Sequence, residues 1–87
     1  MPTDYTTFAE RLDQVHDWPC SYTFKFIVPK DRQGEVTCLF GPEAAIRKRA
    51  SRTGKYISIT IEAGMQSSAQ VVAVYRQAGS IQGIVML

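Results

Sequence analysis

Strict alternation of apolar and polar residues marks two stretches of the chain as β-strands. In residues 21–28, every second side chain from Tyr22 onward is aromatic or aliphatic, and the intervening ones are polar except for Ile27. In residues 56–63, isoleucine recurs at every second position between polar residues. A period of two belongs to a strand with one face in the core and the other in water. The chain is therefore predicted to contain a sheet with one open face.

Helical periodicity marks two further segments. In residues 68–78, apolar side chains recur at the i, i+3, i+4 and i+7 positions, and Ser67 with Gln70 has the spacing of a capping box. Residues 7–16 repeat both signs, with the capping-box spacing beginning at Thr7. A helix is predicted for each segment.

Shorter patterns and turn residues predict the remaining elements. Residues 31–40 are expected to form a short helix that stops at the following Gly-Pro pair. Residues 44–51 are predicted to be a strand with Ile46 pointing inward, and a turn at residues 51–54 leads into the next strand. Residues 84–87 form a last short apolar strand in this interpretation.

This order of elements, a helix followed by βαββαβ, predicts a ferredoxin-like fold of the α+β class. Each β-α-β crossover is right-handed, so both crossover helices should lie on one face of a four-stranded antiparallel sheet. Residues 1–17 are predicted to be an N-terminal helical extension and residues 18–87 the ferredoxin-like domain. Function is then expected on the open face, at a sheet edge or in a loop.

Composition is that of an ordinary folded domain. Apolar residues make up 45% of the 87 residues and charged ones 21%, which argues against a disordered tail or a disulfide scaffold. No apolar run approaches the roughly 18 residues that span a bilayer. Asp4 and Glu10 stand where a secretory signal would be basic and then apolar, so we expect a cytoplasmic location. Cys20 and Cys38 form no CxxC pair and are expected to be buried thiols.

Several motifs resemble those of the YbeD-like family of small bacterial proteins. Residues 18–25, WPCSYTFK, are similar to the aromatic-Pro-x-x-aromatic-x-x-Lys opening of that family. Residues 51–60, SRTGKYISIT, are similar to its Ser-x-x-Gly-Lys/Asn-Tyr-x-Ser-hydrophobic-Thr segment. The Val-Tyr pair at residues 74–75 and the closing stretch 83–87 match its second helix and last strand, so the resemblance covers roughly residues 18–87.

The resemblance implies a ferredoxin-like domain akin to ACT regulatory domains, which bind small molecules such as amino acids at subunit interfaces. The family has no established biochemical activity. This chain departs from it in residues 29–50, which are several residues shorter than usual and carry Pro29 where the family commonly has Gly. An ACT domain holds its ligand in that region. We therefore expect a small regulatory or interaction module that binds a protein partner or a small ligand and uses no cofactor.

A Ser-His-Asp or Cys-His-Asp catalytic site would have to be built around His16, the single histidine. It could join Cys20 with Asp13 or Asp17, but these residues share one short stretch, and no loop suited to stabilise an oxyanion is evident. With Cys20 and Cys38 it would supply three zinc ligands, whereas structural zinc sites use four. We predict neither site and no enzymatic activity. His16 is expected to be a solvated residue at a helix end, where the helix dipole favours it.

The candidate binding site is the open face of the predicted sheet. Basic residues cluster in residues 47–55, although the net charge of the whole chain is only +2. Strand alternation directs Lys25 of one strand and Arg47 and Arg49 of another toward this face, around Tyr56. The hairpin turn adds two further cations, Arg52 and Lys55. The predicted site residues are Lys25, Arg47, Arg49, Arg52, Lys55, Tyr56 and Ser58.

This face is predicted to dock an acidic partner surface or a small anion. The alternative is RNA or another polyanion, because RNA-recognition motifs share the βαββαβ order. Those motifs stack bases on two or three exposed aromatic rings, whereas this face offers Tyr56 alone, so nucleic acid is the less favoured partner. If the protein forms a homodimer, residues 84–87 are the expected seam, since Arg47 and Arg49 protect the other edge strand.

Overall fold

The computed structural model describes residues 6–86, and their elements follow the ferredoxin-like order. The helices and strands are α1 (Thr6–Val15), β1 (Cys20–Pro29), α2 (Gln33–Thr37), β2 (Ala45–Ala50), β3 (Tyr56–Met65), α3 (Ser68–Ala78) and β4 (Val85–Met86). A 3-10 turn, Lys30–Arg32, precedes α2. The strands form one sheet in the order β2-β3-β1-β4, and all neighbours are antiparallel. The predicted α+β class and topology are confirmed.

The two central strands anchor the core. β1 and β3 pair along their whole length, with Phe24 opposite Ile61 and Phe26 opposite Ile59. All four side chains are fully buried. Burying a side chain of this size contributes about 1.5–3 kcal/mol relative to leaving it exposed. The same register directs the alternate residues of both strands, Lys25 among them, away from the core.

Helix α3 covers the core and begins at a side-chain cap. The Ser67 hydroxyl accepts a hydrogen bond from the Gln70 N–H at 3.2 Å, and the Gln70 side-chain oxygen accepts one from the Gln66 N–H at 2.6 Å. These bonds satisfy backbone donors at a helix start, where they lack intrahelical partners. Val71 and Ala78 are fully buried beneath the helix. Both the cap and the predicted range of the helix are confirmed.

Helix α1 packs against α3 and adds to the same core. Leu12 is buried in the core cluster, and the rings of Phe8 and Tyr75 meet edge to face with their centroids 5.5 Å apart. The helix already includes Thr6, so Thr7 lies inside it. The predicted capping role of Thr7 is wrong, because a capping residue has a non-helical backbone and precedes the first turn.

The helix predicted for residues 31–40 is shorter in the structure. α2 ends at Thr37, ahead of the Gly-Pro pair that was expected to stop it. The Leu39 N–H donates to the Val36 carbonyl and the Phe40 N–H to the Thr37 carbonyl, so the chain tightens into turns. These turns bring the Phe40 ring to 5.2 Å from that of Phe24, and core packing therefore ends the helix early.

The last strand is also shorter than predicted. The Ile84 N–H donates to the Ile81 carbonyl, which holds Ile84 in a turn, so β4 begins at Val85. Val85 pairs with Ile27, and the predicted end of the strand at Leu87 lies outside the described residues. β4 therefore offers two paired residues, and the dimer seam assigned to it stays a prediction.

Burial at both cysteines and at one core-face aromatic residue departs from the sequence prediction. Cys38 is exposed and Cys20 is half-buried, so the expectation of two buried thiols is wrong. Cys38 lies in the turns after α2, and Cys20 begins β1 at a corner of the sheet, where little chain covers it. Tyr22 belongs to the core face, as predicted, but is only half-buried because it too lies near that corner.

Candidate functional site

The face of the sheet opposite the helices is open in the described part of the chain. Strand register aligns its side chains in rows that run across three strands. Thr60 of β3 lies between Lys25 of β1 and Arg47 of β2. In the next row, Ser58 lies between Ile27 and Arg49. Pairing of distant segments thus brings together the strand cations that alternation alone assigned to this face.

One carboxylate belongs to the same face. An Arg47 guanidinium nitrogen lies 3.4 Å from a Glu62 carboxylate oxygen, with the two side chains 76% and 49% exposed. A pair this exposed contributes at most about 1 kcal/mol. Among residues 6–86, Lys25 and Arg49 form no ion pair. Sequence reasoning assigned Glu62 to this face but not to the site, although its alternate position in β3 was a sufficient signal.

The hairpin turn between β2 and β3 borders the face. Gly54 has a φ of +75°, a conformation that glycine adopts readily, which confirms its predicted turn role. The Ser51 N–H donates to the Tyr56 carbonyl at 2.9 Å, and the Ser51 hydroxyl accepts from the Tyr56 N–H at 3.2 Å. The Lys55 carbonyl accepts a bond from the Lys30 N–H at 3.0 Å. Backbone bonds therefore hold the turn against the end of β1.

A shallow depression lies where the turn meets the face. It has a volume of about 440 Å³ and is lined by Ile27, Arg49, Ala50, Ser51, Arg52, Tyr56 and Ser58. Four of the predicted site residues therefore converge, while Lys25 and Arg47 lie in the next row and Lys55 lies in the turn. Ser51, Ala50 and Ile27 were not predicted as site residues. Ala50 and Ser51 line the depression because the hairpin closes there, and Ile27 does so because β1 pairs with β3.

Lys48 does not belong to this face. Its ammonium nitrogen donates to the Gln33 side-chain oxygen at 3.0 Å, toward the side that carries the helices. Tyr56 is 47% exposed and is the single aromatic side chain on the open face of the described strands. The site thus combines guanidinium and ammonium groups, hydroxyls and one ring, which suits anionic oxygens better than stacked bases.

The residues around His16, which were weighed as a catalytic cluster, make aromatic and indole contacts in the structure. The Asp13 carboxylate accepts a hydrogen bond from the Trp18 indole N–H at 2.8 Å. The His16 ring lies 5.4 Å from the Trp18 ring and 5.5 Å from the Tyr22 ring, between centroids. His16 follows the last residue of α1, so it lies at the helix end as predicted, but it is half-buried rather than solvated. Aromatic packing surrounds it, with Asp13 engaged by the indole.

The described residues contain neither a metal-binding cluster nor a membrane-spanning helix. Between residues 6 and 86, no group of three or more His, Cys, Asp or Glu side chains has a geometry that could hold a metal ion. None of the helices in that range is long and apolar enough to cross a membrane.

Fold and face together define a small ferredoxin-like α+β domain with a cationic open sheet. The chain belongs to the family described as "Protein of unknown function (DUF493)", whose model matches residues 13–87. It is 30% identical over 80 residues to a UPF0250 protein of Shewanella sediminis (strain HAW-EB3), covering 85% of this chain and 91% of that protein. These findings confirm the resemblance to the YbeD-like family. No solved structure matches the chain significantly.

Proposed function

We propose that the protein is a non-enzymatic, cytoplasmic interaction module of ACT-like fold, whose open sheet face binds an acidic surface on a partner protein. One observation carries the proposal. Cations from two strands, Lys25 of β1 and Arg47 and Arg49 of β2, and from one turn share this face with a single carboxylate, that of Glu62, in the described part of the chain. Because the whole chain has a net charge of only +2, this excess is a local property of one surface.

The arrangement supports a protein partner more strongly than a nucleic acid. A cationic face attracts any polyanion, but reading or holding unpaired bases requires several stacking rings. Tyr56 is one ring, and its neighbours across the strands carry aliphatic and hydroxyl groups. A protein surface with clustered Asp and Glu side chains needs only complementary charge and hydrogen-bond donors. The ferredoxin-like topology, which ACT regulatory domains also have, favours a regulatory rather than a catalytic role.

Charge reversal on the face tests this proposal. The variant Arg47→Glu with Arg49→Glu, used as bait in an extract of the native cell, should lose a partner that the unaltered chain retains. Binding should weaken steeply as salt rises, because the Debye length is about 8 Å at physiological ionic strength and falls further. The matched control, Lys48→Glu with Arg11→Glu, changes the net charge equally but leaves the open face unaltered. Circular dichroism should show an unchanged fold in both variants.

Three other outcomes of the charge-reversal experiment would each point to a different explanation. A partner retained by the face variant at unchanged affinity and salt dependence would exclude the open face, and the loop at residues 29–34 would become the next candidate. Loss of all captured protein after ribonuclease treatment would instead favour the polyanion alternative. Equal losses in the face variant and in the control would indicate a general effect of net charge.

A further inference from the structure

β2 is the longer of the two end strands of the sheet in the described chain. β2 has six residues and is the end strand of the order β2-β3-β1-β4, whereas β4 at the other end has two. All β2 residues are exposed except the half-buried Ile46. A strand edge of this length presents a row of backbone donors and acceptors that can pair with another strand.

The register identifies which backbone groups point outward. The hairpin closes with the bond from the Ser51 N–H to the Tyr56 carbonyl. Because bonded and non-bonded pairs alternate along an antiparallel ladder, the N–H groups of Arg47 and Arg49 face β3. Those of Ile46, Lys48 and Ala50 therefore point away from the sheet. These outward groups alternate with the two guanidinium side chains on the open face.

The positive charges of Arg47 and Arg49 determine which kind of strand can pair with the outer edge of β2. A second copy paired through β2 would set Arg47 and Arg49 against the same cations of its partner, and like charges opposite one another destabilise a strand pair. A neutral strand would gain nothing from either cation. An extended segment with a carboxylate at every second position would form cross-strand ion pairs on the open face while its backbone bonds to the outer edge.

We propose that the acidic partner of the open face binds as an extended strand that adds to the outer edge of β2, with its carboxylates beside Arg47 and Arg49. This inference rests on the proposed function, and it specifies the conformation of the bound segment. The complex is a five-stranded sheet. The cations that protect the edge from self-association thereby select an acidic strand.

The probe is a blocked synthetic peptide as long as β2 that alternates glutamate with valine. It should bind the full chain, and Arg47→Glu with Arg49→Glu should weaken binding at least about tenfold, through the loss and reversal of the cross-strand pairs. A second peptide of equal charge carries proline in place of the central valine, so it keeps the electrostatics but lacks a ladder hydrogen bond. It should bind at least about tenfold more weakly.

Amide hydrogen exchange supplies the readout specific to strand addition. The alternating peptide should slow exchange at Ile46, Lys48 and Ala50 at least about tenfold, because their free N–H groups become hydrogen-bonded. The amides of Arg47 and Arg49 already bond to β3 and serve as internal controls.

Two results would overturn the inference. Equal affinity for both peptides, lost in the charge-reversed variant and without protection at the outward amides, would leave the proposed function intact and exclude strand addition. Absence of binding by the alternating peptide would mean that the cations only protect the edge. The capture of a partner by the unaltered chain and its charge-reversed variant tests the open face independently of strand addition.

Discussion

Gly83 allows a sharp test of how the last strand is held against the sheet. Its φ is +79°, in the left-handed region, and a Cβ added there would lie 2.8 Å from Cγ and 3.2 Å from Cδ of Pro29. Real Cβ atoms essentially never come as close as the first of these distances, so the proline ring or β4 must move. Gly83→Ala should therefore be strongly destabilising.

Gly54 provides the matched control. Its φ of +75° is nearly the same, but nothing lies within 4 Å of an added Cβ. Gly54→Ala should therefore show only the cost of a left-handed alanine, about 1–2 kcal/mol. Gly83→Ala should add an overpacking cost of about 1–3 kcal/mol to that value. The total is a large share of the roughly 5–10 kcal/mol that stabilises a small domain.

Denaturant unfolding measures both substitutions. Gly83→Ala should lower the midpoint further than Gly54→Ala, with similar slopes in both variants. The double variant Gly83→Ala with Pro29→Ala should recover part of the loss, because Pro29→Ala removes the two ring atoms that clash. Equal losses in the two glycine variants would refute the reasoning. So would strict additivity of Gly83→Ala and Pro29→Ala.

Two other predictions concern burial. Phe24→Ala should reduce the free energy of unfolding by about 3–5 kcal/mol, because its fully buried ring packs among four other aromatic rings. Val15→Ala, at a side chain 78% exposed, should change it by less than about 0.5 kcal/mol; equal denaturation midpoints for the two would contradict the assigned core. Under native conditions a thiol reagent should label the exposed Cys38 before the half-buried Cys20. Mass spectrometry of timed samples would reveal the opposite order if the turns after α2 were packed differently.

The sequence was informative about function only as far as one face of the sheet. Alternation assigned Lys25, Arg47 and Arg49 to the open face, and the turn signal placed Arg52 beside it, because side-chain direction in a strand is a local property. The depression beside the hairpin could not be predicted from strand alternation alone. Ser51 and Ile27 join Arg49 there through hairpin closure and the pairing of β1 with β3, which are separated in sequence.

Local patterns by themselves determined the element order, the faces of β1 and β3, and the range and cap of α3. Each of these depends on neighbours within a few positions along the chain. Only the tertiary structure decided where α2 ends, how far β4 extends, and that His16 packs between Trp18 and Tyr22. Those outcomes depend on contacts between distant segments, whose burial outweighs local preference. For the same reason, the cations of the open face became neighbours only when the register of three strands was complete.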